Sequence, residues 1–79
     1  MLVKIGQLAK QAGILPSKIR FYVQEGLIYP VDRTRGGYYL FEESEALDRL
    51  QLIMRLRTEE RLSINEIKER ISQHRYSTP

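Results

Sequence analysis

Gly13 and Pro16 stand close together with a short apolar stripe on either side, and this punctuation constrains the fold more than any other feature of the chain. Before it, Ile5, Leu8, Ala9 and Ala12 recur at i, i+3, i+4 and i+7, one face of an amphipathic helix. Glycine ends such a helix by taking the left-handed conformation. Pro16 suits the first turn of a second helix, where its missing amide hydrogen costs little. The spacing predicts helices over Ile5 to about Ala12 and over Pro16 to Gln24 or Glu25, with Gly26 closing the second. Within that second helix Ile19, Tyr22 and Val23 share an inward face, while Ser17, Arg20, Phe21 and Gln24 share an outward one. Two helices joined by so short a turn form a helix-turn-helix, in which the second has the position of a recognition helix.

Beyond Gly26 the pattern changes. Pro30 keeps its predecessor out of helical geometry, and Asp32 to Phe41 reads as a hairpin. Its tip is Arg33-Thr34-Arg35-Gly36-Gly37, and its return strand is Tyr38-Tyr39-Leu40-Phe41. From about Glu43 to Glu59, Leu47, Leu50, Ile53, Met54 and Leu56 make the broad apolar stripe of a long third helix, opened by Glu42, Glu43 and Glu45. Ser63 to Glu66 spells a capping box, followed by Ile64, Ile67 and Ile71 on a fourth helix that is expected to end near Gln73. The expected fold is mostly α with a small β-hairpin: four helices, with a two-stranded wing between the second and third. It forms one domain over residues 1–73, followed by a frayed tail over 74–79.

At 79 residues the chain has one modest core, hiding roughly 60% of the surface its unfolded form exposes. With no cysteine, neither a disulfide frame nor a thiolate metal site supports it, so apolar packing must. No apolar run approaches the roughly 20 residues of a membrane helix, and no signal peptide is recognisable, so a soluble, cytoplasmic protein without membrane partners is expected. The net charge of +3 is unevenly placed: residues 1–40 carry +4 and residues 41–79 carry −1. A basic first half attracts phosphates by Coulomb steering and counterion release.

Catalysis is not expected. His74 is the only histidine and lies in the tail, so a triad has no anchor. Glu42, Glu43, Glu45 and Asp48 lack any metal-ligand spacing and are more simply explained as compensating a helix dipole. No metal or other cofactor is expected.

Lys4-Ile5-Gly6-Gln7-Leu8-Ala9, Gly13-Ile14, Ile19-Arg20-Phe21-Tyr22, Glu25-Gly26-Leu27-Ile28, Arg33-Thr34-Arg35-Gly36-Gly37-Tyr38 and Leu47-Asp48-Arg49-Leu50 resemble the DNA-binding domain of MerR-family transcriptional regulators. The resemblance runs from Lys4 to about Ile71. It implies a winged helix-turn-helix with the second helix in the major groove and the wing on flanking backbone. Carried over position by position, it assigns DNA contact to Arg20, to the aromatic pair Phe21 and Tyr22, and to Arg33, Arg35, Gly37 and Tyr38 of the wing. Four positions depart from the family pattern: Leu15 replaces a usual capping Ser or Thr, Ser17 a frequent arginine, Tyr39 a wing arginine, and Arg61 a common glycine. Family members usually continue into a dimerising helix and an effector-sensing domain. The chain is therefore expected to be an excised DNA-binding domain, or else a naturally short member, with homodimerisation confined to a longer chain.

The residues themselves extend that set. Ser17 and Lys18 lie beside Arg20, Lys4 and Gly6 can offer a charge or an amide to one phosphate, and Tyr39 can donate its hydroxyl to another. Tyr22 is expected mostly in the core with its hydroxyl near phosphate. The expected partner is double-stranded promoter or operator DNA, with RNA polymerase affected indirectly. The competing reading is a protein-interaction module, or an architectural, excisionase-like winged helix with weak non-specific DNA binding.

Overall fold

The computed structural model describes residues 1–76, folded as β1 (Leu2–Lys4), α1 (Ile5–Ala12), α2 (Pro16–Gln24), β2 (Asp32–Arg33), β3 (Tyr39–Glu42), α3 (Glu43–Thr58) and α4 (Ile64–Tyr76). The four helices and the hairpin lie where hydrophobic periodicity and glycine placement put them. Two differences stand out. The wing belongs to a three-stranded antiparallel sheet of order β1-β3-β2, because Leu2, Val3 and Lys4 pair with Glu42, Phe41 and Leu40. And α4 continues through Tyr76, past the Gln73 at which the apolar repeat stops marking it, so the expected tail begins as helix; residues 77–79 lie outside those described.

The breakers act as their chemistry requires. Gly13 takes φ +72° and its amide bonds the Ala9 carbonyl, which ends α1. Gly26 takes φ +74°, and the amides of Gly26 and Leu27 bond the carbonyls of Val23 and Tyr22, the reciprocal pattern of a Schellman motif. Ser63 and Glu66 close the capping box in both directions: the Ser63 amide donates to Glu66 Oε1 at 2.9 Å and the Glu66 amide donates to Ser63 Oγ at 3.2 Å. At α3 the cap is Glu42, whose Oε1 accepts from the Glu45 amide at 3.2 Å while Oε2 accepts from the Met1 ammonium at 2.8 Å.

The core draws on every layer. Leu8 of α1, Ile19 of α2, Leu27 of the following turn, Phe41 of β3, Leu50 and Ile53 of α3 and Ile67 of α4 are all fully enclosed. Each such side chain contributes about 1.5–3 kcal/mol relative to exposure. Enclosure of Ile19 locks the inner face of α2 against the body and leaves its opposite face outward. No described helix is long and apolar enough to cross a membrane.

Candidate nucleic-acid interface

Three elements meet in one cleft on the outer side of α2. Lys4 and Gly6 come from the β1–α1 junction, Gln7 from the first turn of α1, Arg20 from the middle of α2, and Gly37, Tyr38 and Tyr39 from the wing. The β1–β3 pairing makes this meeting, since it sets Lys4 opposite Leu40 and so brings the start of α1 beside the returning wing strand. Lys4 Nζ lies 4.9 Å from the Tyr38 ring centre, a cation–π contact across the two elements.

The wing tip is a tight turn. The Gly37 amide donates to the Thr34 carbonyl at 3.0 Å, the Thr34 amide to the Tyr38 carbonyl at 2.9 Å, and the Tyr38 amide to Thr34 Oγ1 at 3.2 Å. Gly37 sits at φ +85°, a conformation that side chains rarely adopt. Arg33 pairs with Tyr39 across the strands, its guanidinium carbon 4.7 Å from the ring centre and its Nη2 donating to the Tyr39 hydroxyl at 3.3 Å. Arg35 projects from the exposed tip.

A second, shallow depression lies toward the start of α2, lined by Ile14, Leu15, Ser17, Lys18 and Phe21. Ser17, Lys18, Arg20 and Phe21 are all exposed, so the outward face expected of α2 is free of the core. Among the described residues, the ion pairs are Met1–Glu42, Lys68–Glu25 and Arg70–Glu60; none takes up Lys4, Lys18, Arg20, Arg33 or Arg35. Residues 1–24 contain no aspartate or glutamate at all, so Lys4, Lys18 and Arg20 have no acid within their own stretch of chain.

Tyr22 belongs to the core, as expected: it is only 3% exposed and tilts against Phe21 at a ring separation of 5.9 Å. Burial raises its phenol pKa, an effect partly offset by the Arg57 guanidinium of α3. Its outward neighbour Phe21 keeps 40% of its surface exposed. Sequence reasoning missed Gln7 as a cleft residue. Its signal was its place on the polar side of α1 directly after Gly6, but the cleft depends on a strand that three residues could not announce.

The family profile described as MerR HTH family regulatory protein matches residues 3–74. The chain belongs to the MerR family of helix-turn-helix regulatory proteins. It is 44% identical over 66 residues to an HTH-type transcriptional regulator ZntR homolog of Haemophilus influenzae, covering 84% of this chain and 47% of that protein. It is 37% identical over 67 residues to the mercuric resistance operon regulatory protein of Bacillus cereus, covering 85% and 49% respectively. The chain thus spans about half the length of these curated relatives, which are transcriptional regulators rather than enzymes.

Among solved structures it resembles the transcription regulator PbrR691 of Ralstonia metallidurans CH34, in complex with lead(II), with a TM-score of 0.82 at 31% identity; the match covers 98% of this chain and 59% of that one. It also resembles HiNmlR, a MerR family regulator lacking the sensor domain and bound to promoter DNA, with a TM-score of 0.75 at 30% identity, covering 87% and 53%.

Proposed function

We propose that residues 1–73 form a sequence-specific double-stranded DNA-binding domain that reads an operator for a transcriptional regulator. One observation carries this reading: Arg20 of α2 lines the same cleft as Lys4, Gly37 and Tyr38, so a single duplex can touch the helix and the wing together. The outward face of α2 enters the major groove, with Ser17, Lys18, Arg20 and Phe21 toward base edges and phosphates. Lys4, Arg33, Arg35, Gly37, Tyr38 and Tyr39 hold the flanking backbone, which positions the helix without reading sequence. The domain's extents of 36 × 30 × 20 Å suit this, because one turn of B-DNA is about 34 Å long.

A DNA-bound relative of the same fold supports the reading. In a longer chain carrying a dimerising helix, two such domains would read paired half-sites and present the promoter to RNA polymerase in the cytoplasm.

The test is fluorescence anisotropy of the 79-residue chain with duplex DNA at a series of salt concentrations. Affinity is expected to fall steeply with salt, by about 0.9 in the log–log slope for each phosphate neutralised. Arg20→Ala and Arg35→Ala are each expected to weaken binding by roughly tenfold or more, the scale of one hydrogen bond to a charged group. Absence of binding at low salt, or wild-type affinity in both variants, rejects the proposal.

A further inference from the structure

Leu15 occupies the N-cap of α2, where Ser, Thr, Asp or Asn would bond an open amide and add about 0.5–2 kcal/mol. It makes no side-chain cap bond, and it contributes nothing to the core either, being 72% exposed. An apolar residue that forgoes both roles at the first turn of the outward helix needs another explanation. Phe21, 40% exposed, lies on the same shallow depression together with Ile14, so the apolar surface is continuous rather than a single stray side chain. Lys18 borders it, Arg20 of the same helix lines the other cleft, and residues 1–24 carry four cations and no acid. An apolar patch bordered by a cation that no ion pair among the described residues takes up matches one surface in particular: the floor of a DNA major groove. There the C5-methyl groups of thymine supply apolar contact and the phosphates on either rim supply negative charge.

We propose that Leu15, backed by Phe21, is a specificity-determining residue that reads thymine methyl groups in the major groove. The inference rests on the DNA-binding reading above and adds what it lacks: the chemical identity of the bases preferred at the start of α2. The first residues of a recognition helix are the ones that meet base edges, and Leu15 immediately precedes Pro16, the first residue of this one. Hydrogen-bonding residues there would distinguish bases by donors and acceptors. Leucine can distinguish them only by the methyl group that thymine has and the other three bases lack.

The test needs a bound sequence, obtained by selecting duplexes from a random pool with the 79-residue chain at low salt. Each thymine in the selected site is then replaced singly by deoxyuridine, which removes the methyl group and keeps every hydrogen-bonding atom. The proposal expects at least one position at which the replacement weakens binding about fourfold, the effect of one buried methyl group. It expects Leu15→Ser to bind thymine and deoxyuridine forms equally, to keep the steep salt dependence, and to melt at or above the wild-type temperature through its restored cap.

Selected sites without a methyl-sensitive position overturn the proposal while leaving DNA binding intact. So does a folded Leu15→Ser that still discriminates. Failure to select or bind any duplex overturns both readings, and because the deoxyuridine change is made in the DNA, no loss of protein folding can imitate the expected result.

Discussion

Arg61 has φ +54°, the one left-handed position occupied by a residue other than glycine among those described. It lies between α3 and α4, where the Leu62 amide turns back to the Leu56 carbonyl at 3.0 Å and Arg57 Nη1 donates to the Leu62 carbonyl at 3.0 Å. The left-handed conformation costs an L-residue roughly 1–2 kcal/mol. Glycine would relieve that cost and return roughly 0.5–1 kcal/mol through the greater freedom of the unfolded chain. Arg61→Gly is therefore expected to stabilise the domain by about 0.5–1 kcal/mol in urea unfolding, and a lower midpoint would show that the arginine side chain contributes more than its backbone costs. Gly37 tests the same argument in reverse. Its missing Cβ would meet nothing within 4 Å, yet φ +85° makes Gly37→Ala strained, so a loss of about 1 kcal/mol with weakened DNA binding is expected from melting curves and anisotropy. The glycines at 13, 26 and 37 could be read from the sequence because glycine advertises positive φ. Arg61 itself does not advertise it, since the demand comes from the path between two packed helices; only the resemblance, which puts a common glycine there, marked the position. Tyr22 could be placed in the core because it shares the i, i+3, i+4 face of α2 with Ile19 and Val23.

Helix starts supply a pH dependence whose sign follows from the bonds at each cap. The Glu42 carboxyl is held below its ordinary value of 4.5, first by the hydrogen bond from the Met1 ammonium and then by the Glu45 amide. Glu66 is likewise lowered, by the amide and hydroxyl of Ser63. A depressed folded-state pKa means that the stabilisation is complete above the ordinary value and is lost as pH falls through the folded one. Acid unfolding monitored by circular dichroism is therefore expected to show stability declining below about pH 4.5, with a shallower decline in Glu42→Gln and Glu66→Gln. The Met1 ammonium is raised above its ordinary 8.0 by the same Glu42 bond and charge, so its share is present below that value and fades as pH climbs through the higher folded one. At this scale the capping box of α4 could be read directly, since Ser63 and Glu66 are local signals. The β1 strand could not, because Leu2, Val3 and Lys4 are too few to establish a period of two, and they become a strand only by pairing with the free edge of β3.

Across the whole molecule, one small core must hold α2, the wing and two bracing helices in a single arrangement. Leu50 and Phe41 are both completely enclosed, one on the long brace and one on the central strand. Truncating either to alanine costs about 2–5 kcal/mol, against a total of roughly 4–12 kcal/mol for a domain of this size. Leu50→Ala is expected to lose a third or more of the stability and to lower the melting temperature by roughly 10 °C or more. DNA affinity should stay near wild type at temperatures where the variant remains folded; a loss there would place Leu50 in the alignment of α2 and not in stability alone. The sequence revealed the outward basic face and the protruding arginines, because both follow from local spacing. It did not reveal the cleft that sets Arg20 beside Lys4 and Tyr38, because β1 joins residues that lie some forty positions apart. That junction bears on how the protein is handled. The ammonium of Met1 reaches Glu42 and its carbonyl accepts the Glu43 amide, so a purification tag fused ahead of residue 1 would neutralise the first contact and load the strand that organises the cleft. A tag placed after residue 79 keeps that ammonium free.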